Sequence, residues 1–237
     1  MIRVNVVAEG QSEMIFAKKL LNIYFGGKVI VDSRCVLTSR DQKTNYEYRG
    51  CLLKYQKARD DIVRWLKEDS GAYVTTMFDY FRLPKDFPGY ESAMKCQEHS
   101  ERVLVLENAL RYDILSEPGI VNAKERFIPY IQLHEFEALL FTDIRVLKYD
   151  YLEREDAVKI DYLYEETKMI PPEEINHGEE TAPSKRLLKT VNYKKGEMAT
   201  EWLEVIGITK IREKCPHFSQ WIERLYSLTN ESQGNHC

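Results

Sequence analysis

The sequence holds no CxxC pair and no run of 18 or more apolar residues. Its five cysteines, Cys35, Cys51, Cys96, Cys215 and Cys237, are scattered and odd in number. Neither a disulfide framework nor a structural zinc site is expected from them, and they read as reduced thiols. Without a long apolar run there is no candidate transmembrane helix. The opening MIRVNVVAEG lacks the charged-then-apolar layout and the small-residue cleavage site of a signal peptide, so a cytoplasmic location away from membranes is expected. No P-loop or dinucleotide fingerprint occurs, which argues against nucleotidyl or small-phosphate chemistry of those kinds. A basic excess is missing too. Lys and Arg total 34 against 38 for Asp and Glu, a net charge of -4, unlike a general nucleic-acid coat protein. A local basic strip can still grip phosphate within such a chain.

What is present is enough apolar material, 43% of 237 residues, for one substantial core with an appended subdomain. Ile2 to Val7 is strand-like, and Ser12 to Phe25 places Ile15, Phe16, Leu20, Ile23 and Tyr24 near the helical period. A β-branched stretch at Val29 to Leu37, a helical pattern over Leu52 to Glu68 and an apolar run at Ala72 to Phe78 follow. That order, β-α-β-α-β, predicts a parallel sheet with right-handed crossovers. Further on, a helix is expected from about Glu91 to Tyr112, and a turn at Pro118-Gly119. A strand interrupted by Pro129 is expected at Phe127 to Leu133, suited to an edge, with a helix over Glu135 to Phe141. From Lys148 the pattern is mainly helical, and Thr229 to Cys237 reads as a frayed tail. The expected fold class is α/β: residues 1–145 form a mostly parallel sheet flanked by helices, and 146–237 a helical elaboration.

Four segments could carry chemistry. Glu9-Gly10-Gln11-Ser12-Glu13 lies where strand one becomes helix one; glycine permits the turn, Ser12 can cap the helix, and Glu13 faces its positive end. Asp79 closes the third strand, and strands one and three of a doubly wound sheet are commonly neighbours. Glu9 and Asp79 would then stand together and could hold a hard divalent cation, Mg²⁺ or Mn²⁺, although either carboxylate can equally be a solvated strand-end residue. The third segment is QLHEFEALLF at Gln132 to Phe141. A zincin HExxH is excluded because Ala138 stands where the second histidine belongs. His134 and Glu137 fall three apart, so either could be a ligand, a proton carrier or a first-turn charge. The fourth is Thr181 to Lys195, which carries Lys185, Arg186, Lys189, Lys194 and Lys195 with no acidic residue. Pro183-Ser184 would start a helix there whose amides, with Ser184, Lys185 and Arg186, could meet a phosphate, or the run could be a solvated basic face.

With VAEGQSE at 7–13, MFDYF at 77–81, YIQLHEFEALLF at 130–141 and APSKR at 182–186 in view, the chain resembles a bacterial domain of unknown function related to toprim domains. Among those are the nucleases of overcoming-lysogenization-type systems. The resemblance implies that Glu9 is a metal ligand or general acid/base and Asp79 a metal ligand. It departs at Phe81, which stands where the second aspartate of a DxD pair is usual, unless Glu135 or Glu137 supplies the missing oxygen. The resulting expectation is a Mg²⁺- or Mn²⁺-dependent phosphodiester hydrolase acting on DNA or RNA. In it Glu9, Asp79, Glu135 and Glu137 hold metal, Glu9, Glu13, His134 and Glu137 move protons, and Ser184, Lys185 and Arg186 position phosphate. The resemblance also implies an ATPase partner in bacterial defence. The rival expectation is a non-catalytic toprim-like subunit that binds such an ATPase.

Overall fold

β1 (Ile2–Ala8) alternates little because both of its faces are covered: Val4, Val6, Val7 and Ala8 are all fully buried. In the computed structural model, which describes residues 1–40, 47–49, 52, 54–176, 178–194 and 197–234, β1 pairs in parallel with β2 (Val29–Cys35) on one side and with β5 (Tyr73–Asp79) on the other. A two-stranded antiparallel hairpin, β3 (Leu37–Arg40) and β4 (Glu47–Arg49), follows β2. The parallel sheet runs β2-β1-β5-β6, with β7 also on β5. The protein is therefore α/β, as its alternating pattern implies.

Between β1 and β2 the chain is helical from α1 (Gln11–Phe16) through a π-helical turn (Ala17–Leu21) to α2 (Asn22–Phe25). The expected stripe is buried at Phe16 and Leu20, half-buried at Ile15 and Tyr24, and wrong at Ile23, which is 64% exposed. The π turn shifts the register, so a strict 3.6-residue count drifts off the buried face. α3 (Tyr55–Glu68) starts three residues later than the pattern suggests. The single helix expected from Glu91 is two: α4 (Tyr90–Ala93) and α5 (His99–Leu115), separated by turns at 94–98. Arg59 of α3 is held by Asp113 and Glu117 of α5 at 2.9 and 3.0 Å, and Lys67 joins Glu117 at 2.6 Å.

Pro129 has no N–H to give the sheet, and the expected edge strand is divided into β6 (Phe127–Ile128) and β7 (Ile131–Gln132), both parallel to β5. Thr76 bridges the gap. Its hydroxyl donates to the Tyr130 carbonyl at 2.8 Å and accepts from the Tyr130 N–H at 2.9 Å. Thr76→Val keeps the shape and leaves both buried Tyr130 groups without that partner, so it should cost about 1–3 kcal/mol in urea unfolding. A loss under about 0.5 kcal/mol would show that water replaces the hydroxyl. The free edge is closed in the same way, since Glu107 on α5 accepts the Ile131 N–H at 2.7 Å.

The chain divides into two compact units: Met1–Gln132 together with residues from Arg224 onward, and Leu133–Glu223. The sequence had suggested 1–145 and 146–237. The second unit carries two 3-10 segments, Phe136–Thr142 and Ile144–Tyr149, then α7 (Arg154–Thr167), short 3-10 turns at Pro172–Glu174 and Glu179–Thr181, α8 (Pro183–Thr190), α9 (Glu197–Ile206) and α10 (Ile208–Lys214). α11 (Pro216–Gly234) begins in this unit and continues into residues of the first. It includes much of the segment expected to fray; Cys51, Lys195 and Cys237 lie outside the described residues. No helix among the described residues is long and apolar enough to cross a membrane.

Asp143 ties the second unit together by accepting hydrogen bonds from Arg145 at 2.9 Å and Lys210 at 2.6 Å. Burial pushes its carboxyl up, but the bonds and charges of Arg145 and Lys210 outweigh burial and hold it at about 2, below the ordinary 3.8. A depressed folded-state value stabilises the fold above the ordinary value, and that contribution is lost as pH falls through the folded one. The stability difference between wild type and Asp143→Asn should therefore be about 1 kcal/mol near neutrality, screening included. It should shrink toward zero as the pH drops from about 3.8 to about 2. A pH-independent difference in urea unfolding would contradict this.

Candidate metal-binding carboxylate site

Parallel strands end on the same edge, so the residue after β1 and the last residue of β5 meet at the carboxyl edge of the sheet. These are Glu9 and Asp79. The Glu9 N–H continues the ladder to the Met77 carbonyl at 3.0 Å, and the Asp79 N–H donates to Glu9 Oε2 at 3.0 Å. Both are buried, at 2% and 4% exposure. Two carboxylates brought together away from water repel each other, and a hard cation shared by their oxygens relieves that repulsion.

Gly10 is the N-cap of α1 and Glu13 sits in its first turn. A Cβ at Gly10 would stand 2.8 Å from Glu13 Oε2, so the glycine admits a close approach of this carboxylate to the turn. Glu13 is itself buried and lies at the positive end of the helix, where a negative charge is favoured. The sequence placed both residues on this turn and gave no sign of this close approach.

The residues of the HEFEALLF segment belong to the second unit, and each is engaged there. His134 is fully buried in a left-handed conformation, φ 67°, and its Nε2 meets the Glu173 carbonyl at 2.8 Å. It precedes the helix instead of opening it, and the following turns are 3-10, not α. The expected shared face of His134 and Glu137 on an α-helix is therefore not formed. Glu135 Oε2 accepts the Ser184 N–H at 2.9 Å, and Glu137 Oε1 accepts the Tyr193 hydroxyl at 3.1 Å. Glu173 supplies more than its carbonyl: its carboxylate accepts the N–H groups of His217 and Phe218 at 3.0 and 2.9 Å, capping α11. Burial outweighs those bonds and raises the Glu173 pKa. Tyr193 and Glu173 carry no local sequence signal, because their partners lie 56 and about 40 residues away.

α8 starts with Pro183 at its first turn, as expected. Its N-terminal amide at Ser184 meets the Glu135 carboxylate, which stands where a phosphate was expected. Three of the five basic residues are matched within their own unit. Lys185 lies 3.6 Å from Glu180, Lys189 2.8 Å from the same residue, and Arg186 2.7 Å from Glu166 while also bonding the Thr181 carbonyl. Between α7 and α8, Glu166, Glu180, Arg186 and Lys189, with Val158, Tyr162 and Leu163, line a groove of about 670 Å³. The run, which has no acidic residue of its own and follows the acidic stretch Glu173 to Glu180, is opposed in space by Glu166 and Glu180, both of which precede it in the chain.

Among the described residues no group of three or more His, Cys, Asp or Glu side chains is placed to hold a metal ion. Glu9 and Asp79 belong to the first unit and meet there, and Glu135 and Glu137 belong to the second, where they bond to Ser184 and Tyr193. The oxygen pair fits Mg²⁺ or Mn²⁺ in kind, since magnesium commonly takes one or two carboxylates and keeps several waters. No curated protein and no solved structure matches the chain. One family model does, over residues 8–226, and its span takes in Glu9, Asp79, HEFEALLF and α8 alike. The chain belongs to that family, the domain of unknown function DUF4276.

Proposed function

We propose that this protein is a Mg²⁺- or Mn²⁺-dependent phosphodiester hydrolase of toprim type acting on DNA or RNA. The observation that carries this reading is the pair Glu9 and Asp79, buried side by side where two parallel strands end, the edge at which open α/β sheets place their ligands. Both carboxylates would hold the cation. When bound, the ion supplies polarisation of a phosphoryl oxygen and a more acidic water. Glu13 would accept the proton that the attacking water gives up, and Gly10 lets its carboxylate approach the turn. The likeness to nucleases of overcoming-lysogenization-type systems extends the proposal to a cytoplasmic component of bacterial defence that works beside an ATPase.

The test is cleavage of single-stranded and duplex DNA and RNA by the purified chain with Mg²⁺ or Mn²⁺, in wild type and Asp79→Asn. Metal-dependent cleavage that the substitution removes supports the reading, and cleavage that survives it sinks the reading. A second reading, a non-catalytic subunit that binds an ATPase, is favoured by Phe81 standing in place of a second aspartate and by the lack of a third described ligand. It predicts a stable complex with an ATPase and no metal-dependent cleavage by either preparation.

A further inference from the structure

Two large apolar side chains of α7 stand in water side by side. Val158 is 61% and Tyr162 74% exposed; four residues apart, they share one face of the helix, and that face is one wall of the groove between α7 and α8. We propose that this groove is the docking surface for a second copy of the chain, with α7 packing antiparallel on α7 about a twofold axis at Tyr162. The contact is independent of the chemistry at Glu9 and Asp79.

A small ligand held between the helices would leave so exposed a tyrosine ring largely in water, whereas a helix laid along the groove would cover it. The charges of α7 identify the helix that fits. In an antiparallel pair centred on Tyr162, each residue before the tyrosine comes level with the residue equally far after it on the other copy. At 1.5 Å per residue, Lys159 lies about 4.5 Å before Tyr162 and Glu166 about 6 Å after it, and both line the groove. Lys159 of each copy therefore comes within about 1.5 Å, measured along the axis, of the level of Glu166 of the other. The twofold makes this match twice. Within one copy Lys159 meets Glu155 at 2.8 Å and Glu166 meets Arg186 at 2.7 Å, but exposed pairs of this kind are worth little and are readily shared. Tyr162 meets its own symmetry mate with Val158 beside it, an apolar centre rimmed by charge. The other wall suits the same occupant, since α7 carries five acidic residues against two basic, and α8 brings Arg186 and Lys189 to the groove.

The experiment is analytical ultracentrifugation of the full chain from low micromolar concentration upward. Wild type should sediment at twice the chain mass when concentrated and dissociate on dilution. Tyr162→Glu should weaken the dimer by at least about thirtyfold, with a circular dichroism spectrum like that of wild type because the position is exposed. Lys159→Glu and Glu166→Lys should each stay monomeric where wild type is dimeric, since each sets two like-charge pairs against each other. An equal mixture of those two variants should dimerise again: the mixed pair keeps one native match of Lys159 with Glu166 and reverses the other. A loss of folding could not give that rescue. A wild type that is monomeric throughout would overturn the proposal and leave the groove to another protein or a ligand. A dimer indifferent to Tyr162→Glu would put the interface elsewhere, and a mixture that stays monomeric would reject the antiparallel pairing.

Discussion

Replacing Arg126 with methionine should destabilise the protein by about 3–5 kcal/mol, more than any other single change considered outside the carboxylate site. The side chain is 6% exposed and its guanidinium donates to the carbonyls of Ala72, Leu66, Asp69 and Val121. Those four acceptors end α3, start β5 and close the loop before α6 (Ala123–Arg126). Burial lowers the Arg126 pKa, yet the group stays charged in the physiological range because guanidinium starts so high. Methionine matches the length of the stem and leaves the buried Leu66 and Ala72 carbonyls without a donor. Urea unfolding should show a lower midpoint at unchanged slope. Arg126→Lys should recover only part of the loss, since an ammonium cannot reproduce the planar fork. A cost under about 1 kcal/mol for Arg126→Met would mean that water enters and satisfies those carbonyls.

The second large effect concerns chemistry. Asp79→Asn and Glu9→Gln each preserve side-chain volume, and the Asp79 N–H can still reach an oxygen at position 9. Folding should therefore survive, with thermal midpoints close to wild type. Each substitution removes half of the anionic charge available to a cation between the two strand ends. Metal contributes several kcal/mol to phosphoryl transition states, so cleavage should fall by about a thousandfold in either variant. On the proposed reading both residues act through one ion, so the double variant should fall no further. If Glu9→Gln and Asp79→Asn instead multiplied, the two carboxylates would be acting independently and a shared ion would be the wrong picture.

The sheet and its site-bearing edge were legible because they depend on local pattern. Val4, Val6 and Val7, the apolar run before Asp79, and Gly10 at the first turn fix two parallel strand ends, and parallel pairing puts Glu9 beside Asp79. What was not legible depends on distant partners or special backbone. His134 reads as sharing a helical face with Glu137, but its left-handed φ and its bond to the Glu173 carbonyl hold it outside the helix that follows. HEFEALLF has the apolar content of an α-helix, but every residue of Phe136–Thr142 is buried, so no polar face exists to define a period, and the segment winds as 3-10. The Glu135 carboxylate at Ser184 answers a question the sequence posed correctly, which anion meets the start of α8, with a residue 49 positions earlier. The basic run looked available for phosphate because its acids lie outside it, Glu180 just before it and Glu166 a helix earlier.

The central claim, that Glu9 and Asp79 form a metal site, is tested most directly by calorimetric titration of Mn²⁺ into wild type and Asp79→Asn, with circular dichroism confirming that both are folded. The account predicts saturable binding in wild type that is at least about a hundredfold weaker in Asp79→Asn. Binding of equal strength in the two proteins, or none in wild type, would contradict it.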